Sequence, residues 1–307
     1  MKKHKLAEIK AQTKPFIKGF SQAVSNGEIT QHSIVIAYYI LFSIFPIIII
    51  IGNILPLFKI DTKPIADYLS LILPSQVSEF VMPMIKSLLS KHSGGILSFG
   101  IIVAIWSFSS LINSIRISMN KIYGIHWREK REPWWNVILS RILTLLITAF
   151  LVLLWILLTF VLTFGQQIVE FLAPIFSLHL DWIYKIESYK WPLIVLMMIL
   201  VNLYLNYFLP NISGIKRVVL PGAILTTFGW GTLSYVFGLY LRFFGTKWQN
   251  YGIVGTFIVF MLWMNFIALI FLVGVCVNAS LHTIKYGKVS YTKSSVLSAI
   301  RQRRRSN

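Results

Sequence analysis

Residues 37–50 read AYYILFSIFPIIII, the middle of a run from Ile29 to Phe58 that holds no Asp, Glu, Lys or Arg. An α-helix rises about 1.5 Å per residue, so about 20 apolar residues cross a bilayer core. The run is therefore long enough to span. Its interior is unusual for a plain span, because Tyr38, Tyr39, Ser43 and Pro46 stand where leucine would serve. Proline removes one internal hydrogen bond and bends a helix, and a membrane tolerates this only where neighbouring groups satisfy the freed carbonyl.

The rest of the chain repeats the pattern. Charge-free stretches cover 29–58, 92–115, 142–169, 191–215, 218–241 and 248–284 of the 307 residues. They predict transmembrane helices near 34–57, 96–118, 137–163, 191–209, 218–241 and 252–282. The expected fold class is all-α, a polytopic membrane protein of six transmembrane helices with amphipathic interfacial helices. A composition 56% hydrophobic and 13% charged agrees, since a soluble surface needs more charge.

The net charge of +19 would suggest nucleic acid in a soluble protein. Here it divides by side. Residues 1–33, 116–141, Lys216–Arg217 and 285–307 carry 21 basic side chains against four acids, and the other connecting segments carry eight against six. The positive-inside rule places both termini in the cytoplasm of a cell whose plasma membrane the chain crosses. The basic excess is accounted for by topology and by contacts with membrane lipids, which argues against nucleic acid as a partner.

Three domains follow. Residues 1–33 form a cytoplasmic amphipathic helix, with Leu6, Ile9, Phe16, Ile17, Phe20 and Val24 at helical spacing among lysines. Residues 34–282 form the six-helix transmembrane domain, and its outer segment 59–95 contains a capped amphipathic helix beginning near Ser75. Residues 283–307 are a basic tail. Gly95–Trp106 and Gly252–Trp263 match at four of twelve positions, a faint sign of a duplicated element.

The polar residues inside the spans carry the functional expectation, because polar groups at membrane depth cost free energy unless they face protein or water. In the second span Ser109, Asn113, Arg116 and Asn120 share one helix face. Asn206, with Asn202 one turn before it, marks the fourth. The candidate cavity-lining set is Tyr38, Tyr39, Ser43, Pro46, Ser109, Asn113, Asn120 and Asn206. Arg116, Lys121, Arg131 and Arg141 are candidates for lipid head groups or the interface. Packing is the competing reading throughout, since Ser and Asn also bridge helices and the glycines of the fifth span allow close approach.

Several chemistries lack their residues. The six histidines are scattered, and no HExxH, CxxC or GxxxxGK[ST] motif is present. No Asp or Glu falls in the six predicted spans. The expectations are no metal, no cofactor and no enzymatic activity.

Ala37-Tyr38-Tyr39 with Ser43 and Pro46, Trp106-Ser107 leading to Asn120-Lys121-Ile122-Tyr123-Gly124, Pro210-Asn211, Pro221-Gly222-Ala223, and Gly274 with Asn278-Ala279 occur in an order and spacing that resemble the YihY/BrkB family of bacterial membrane proteins. Met119 departs from the alanine usual before that asparagine. The resemblance implies a six-helix plasma-membrane protein and supplies no activity. Some members carry the label ribonuclease BN. The residues themselves favour a transporter-like or lipid-handling protein acting on a lipid or small solute, with a non-transporting scaffold for envelope assembly second and a membrane ribonuclease third.

Overall fold

The computed structural model describes the backbone at residues 2–54, 94–125, 142, 146, 150, 154, 190–212, 216–249, 252–287 and 289. Among these residues the extended regular elements are six helices: α1 (Lys2–Gly27), α2 (Ile29–Ile54), α3 (Gly94–Ile122), α4 (Lys190–Phe208), α5 (Leu220–Gln249) and α6 (Gly252–Tyr286). The predicted outer helices of 59–95 lie outside the described residues apart from the start of α3, and the basic tail lies outside them apart from the end of α6. Ile142, Leu146, Phe150 and Leu154 are helical, exposed and four residues apart, which places one apolar helix face within the predicted third span.

Three helical segments are long and apolar enough to cross a membrane, Ser98–Ile122, Trp191–Phe208 and Phe257–Tyr286, while Ile29–Ile44 is a shorter apolar one. The predicted fifth span is a helix, α5, but is not among these three. Thr226, Thr227, Thr232, Ser234 and its glycines dilute its apolar content. α2 continues as helix through Pro46 to Ile54, so the expected irregularity does not end it.

Local chemistry sets the helix ends. α3 stops at Gly124, whose φ of 69° is the left-handed region where a Cβ is strained. Ile125 N donates to Asn120 O and Gly124 N to Lys121 O, both at 2.9 Å, which is the paired bonding of a Schellman end. α6 also ends at a left-handed glycine, Gly287 (φ 82°), here with the single bond of its N–H to Thr283 O at 3.0 Å. Pro210 follows α4, and Pro221 stands in the first turn of α5, where its missing N–H costs nothing. Glu28, at φ 42°, separates α1 from α2, and its carbonyl accepts Gln31 N and His32 N.

The described residues fall into two compact units. One draws on Met1–Gly27, Met119–Phe228 and Val273–Asn307, the other on Glu28–Ser118 and Gly229–Leu272. α3, α5 and α6 each contribute one part to either unit.

In the first unit, the buried side of α1 is made of small residues. Ala23 and Gly27 are buried, and a Cβ on Gly19 would stand 3.6 Å from Ser280 Cβ of α6. Lys14, Ile17, Lys18, Ser21 and Gln22 occupy the exposed side. α1 occupies most of the segment expected to be one amphipathic helix, and its Gly19 stands against α6. In the second unit, Phe42 of α2 meets Trp106 of α3 edge to face at 5.9 Å, and Trp230 of α5 donates its indole N–H to Ile267 O of α6 at 2.9 Å.

Candidate functional site

The largest set of buried polar side chains in the first unit lies where α4, α5 and α6 meet. Each helix presents a pair spaced i, i+4, and so on one face: Asn202/Asn206, Gly222/Thr226 and Gly274/Asn278. All six are buried.

Asn278 joins them. Its Oδ1 accepts the backbone N–H of Gly222 at 2.7 Å, one of the first-turn donors of α5 that no helical carbonyl can reach. Its Nδ2 donates to Asn206 Oδ1 at 2.9 Å and to Val219 O at 3.0 Å. The carboxamide thus makes three of its four hydrogen bonds, on three segments of chain. Asn206 Nδ2 in turn donates to Asn202 O at 2.9 Å, and Asn202 Nδ2 to Met198 O at 3.0 Å.

Glycine permits this close meeting. A Cβ on Gly222 would stand 2.1 Å from Gly274 O and 2.4 Å from Asn278 Nδ2, and one on Gly274 would stand 2.3 Å from Thr226 Oγ1. Small residues in apolar helices allow such backbone approach, and the asparagines then hold it by hydrogen bonds.

The connector between α4 and α5 is held against the same place. Leu209, Pro210 and Ile212 are buried, and Asn211 N donates to Asn120 Oδ1 of α3 at 2.8 Å. Arg217 donates to the carbonyls of Tyr207 and Ile212 and lies over the Tyr207 ring, with its carbon 4.7 Å from the centroid. Burial holds the Arg217 guanidinium below its ordinary value while Tyr207 and Tyr123 oppose the shift; an arginine so placed stays charged. Burial likewise pushes the Tyr123 hydroxyl up, partly offset by Arg217. Tyr123 also meets His282 edge to face at 6.3 Å.

The sequence-derived candidates divide between the two units. Asn120 and Asn206 belong to the first unit, each bonded to another segment of chain. Tyr38, Tyr39, Ser43, Pro46, Ser109, Asn113 and Arg116 belong to the second. There Ser43 and Pro46 are buried, Tyr39, Ser109, Asn113 and Arg116 are half-buried, and Tyr38 is exposed. Ser43 donates to Tyr39 O at 2.7 Å, Ser107 to Ala104 O at 3.1 Å and Ser110 to Trp106 O at 2.9 Å. These hydroxyls are satisfied by their own helices. Lys121 is half-buried in the first unit, and Arg131 and Arg141 lie outside the described residues.

Asn202, Gly222, Thr226, Gly274 and Asn278 were not among the sequence-derived candidates. The usable signal was the i, i+4 pairing of a small or amide residue on each of three helices. No group of His, Cys, Asp and Glu suited to a metal occurs among the described residues.

These features define a helical membrane-type protein with a buried amide node. The chain belongs to the virulence factor BrkB family, whose sequence model matches residues 20–296. It is also similar to the putative ribonuclease-like protein YfkH of Bacillus subtilis (strain 168), at 27% identity over 267 residues covering 87% of this chain and 95% of that protein. No solved structure matches it.

Proposed function

We propose that this chain is a multi-pass protein of the bacterial plasma membrane, with six spans and both termini cytoplasmic, that handles a lipid along the α2–α3 seam of its second unit. The three long apolar segments, the family and the division of basic residues support the membrane placement. One observation carries the lipid reading: Tyr38 (49% exposed) and Trp106 (59% exposed) both pack on Phe42, at 6.0 and 5.9 Å.

The neighbouring serines spend their hydroxyls on their own helices, so the seam offers aromatic faces more than polar ones. Such a surface suits the apolar body of a lipid, and tyrosine and tryptophan add polar edges for its head group. An ion would need carboxylates or several free oxygens at this depth.

Proteoliposomes carrying a head-group-labelled phospholipid test the reading. Wild-type protein should expose inner-leaflet label to a membrane-impermeant quencher several-fold faster than protein-free vesicles, and the pair Tyr38→Ala/Trp106→Ala should lose most of that gain. A rate equal to that of protein-free vesicles would overturn it. The second reading, a scaffold, draws on the hydrogen-bonded node as a rigid frame; it expects truncation after Gly287 to abolish function in cells. Ribonuclease activity rests on the name of the Bacillus relative alone and is tested by RNA cleavage with and without a metal chelator.

A further inference from the structure

One helical turn from the Asn206–Gly222–Asn278 layer, the same three helices present Asn202, Thr226 and Gly274. Contacts set the direction of each. Arg217 reaches the Tyr207 carbonyl, so the end of the connector lies against the end of α4. α4 therefore enters the layer from the side on which α5 leaves it. α6 runs opposite to α5, because Gly222 meets Asn278 while Thr226 meets Gly274. Asn202 and Thr226 thus stand on the same side of the layer, away from the connector.

The first layer is well bonded and the second is not. Asn202 is 1% exposed and Thr226 0%. Asn202 Oδ1 and Thr226 Oγ1 have no hydrogen-bond partner among the described residues. A threonine hydroxyl can donate and a carboxamide oxygen can accept, so the two would pair if they were within reach. Buried polar atoms are almost always bonded, and two unbonded ones on the same side of one packed layer call for a bridging group. Asn202, Asn206, Thr226 and Asn278 carry no charge, and a buried charge without a partner is strongly disfavoured.

We propose that Asn202 Oδ1 and Thr226 Oγ1 are the protein partners of a buried site for one uncharged hydroxyl group, supplied by a water or by a polyol lipid head group. The group donates to Asn202 Oδ1 and accepts from the Thr226 hydroxyl. The site stands on the packing of the first unit and not on the lipid-handling seam of the second, so either can fail alone.

Thermal unfolding of the purified full chain tests it, using wild type, Asn202→Leu, Thr226→Val and the double variant in lipid-free detergent and again with added phosphatidylglycerol. The loss of the Asn202–Met198 bond is common to the two variants that carry Asn202→Leu and cancels in the cycle. A bridging water predicts that each single change lowers the midpoint by a few degrees and that the double lowers it little further, in both media. Non-additivity only with phosphatidylglycerol assigns the site to a lipid hydroxyl. Additive shifts in both media overturn the proposal. Should Asn202→Leu fail to fold, the isosteric Thr226→Val decides: a midpoint below those of wild type and Thr226→Ser supports the site, and one equal or higher overturns it.

Discussion

The backbone N–H of Gly222 ends on the side-chain oxygen of Asn278 at 2.7 Å, so a residue of α6 caps the first turn of α5. Capping by a side chain from another helix couples the two elements, because α5 begins where α6 supplies the acceptor. The same carboxamide holds Asn206 of α4, and the three helices share one polar joint.

Asn278→Leu is accordingly expected to be severe. It leaves the Gly222 N–H and Asn206 Oδ1 buried without partners, each worth about 1–3 kcal/mol. A total loss of about 2–5 kcal/mol should appear as a lowered unfolding midpoint of the purified protein.

The glycines of α5 should divide sharply. Gly222→Ala forces a methyl to 2.1 Å from a backbone oxygen, which no side-chain movement relieves. A cost of about 3 kcal/mol or more, and a large loss of folded protein on expression, is expected. Gly231→Ala and Gly238→Ala meet nothing within 4 Å and should stabilise by roughly 0.5–1 kcal/mol through helix propensity alone. Gly229→Ala, opposed by the Cγ2 methyl of Ile270 at 2.7 Å, should fall between them. Measuring all four by thermal unfolding checks the ordering.

The end of α3 offers two separable changes. Gly124→Ala places a Cβ in the left-handed region and should cost about 1 kcal/mol, with Gly124→Asn milder. Asn120→Ala removes the acceptor of Asn211 N and should cost about 1–3 kcal/mol. These residues touch different bonds, so unfolding midpoints can tell a backbone effect from a lost connector contact.

Arg217→Lys keeps the charge but loses the planar fork on the Tyr207 and Ile212 carbonyls and the stacking on the Tyr207 ring. A destabilisation of about 1–2 kcal/mol is expected, close to that of Arg217→Gln if geometry and not charge is what matters. Limited proteolysis within 209–219 should rise in parallel in both variants.

Much of this protein is legible in its sequence. The charge-free runs correctly forecast helices at α2, α3, α4, α5 and α6, because a bilayer leaves helix as the means of bonding an apolar backbone internally. Asn206 and Asn120 stood out as polar residues in apolar surroundings. What could not be read was partnership. Asn120 was grouped with Ser109 and Asn113 by spacing on α3, yet its carboxamide binds Asn211, 91 residues away in sequence. Spacing along a helix determines which residues share a face and says nothing of which segment that face meets. Ser43 of α2 was a candidate for a polar lining, and bonding to the carbonyl four residues back satisfies it instead.

By itself the sequence determined the class of protein and which stretches are helical, since apolar run length acts locally. Tertiary structure decided that Asn278, Asn206 and Gly222 form one joint and that Gly19 of α1 stands against Ser280 of α6. Those outcomes depend on close approach between residues far apart in the chain, and only packed helices bring their buried donors and acceptors within reach.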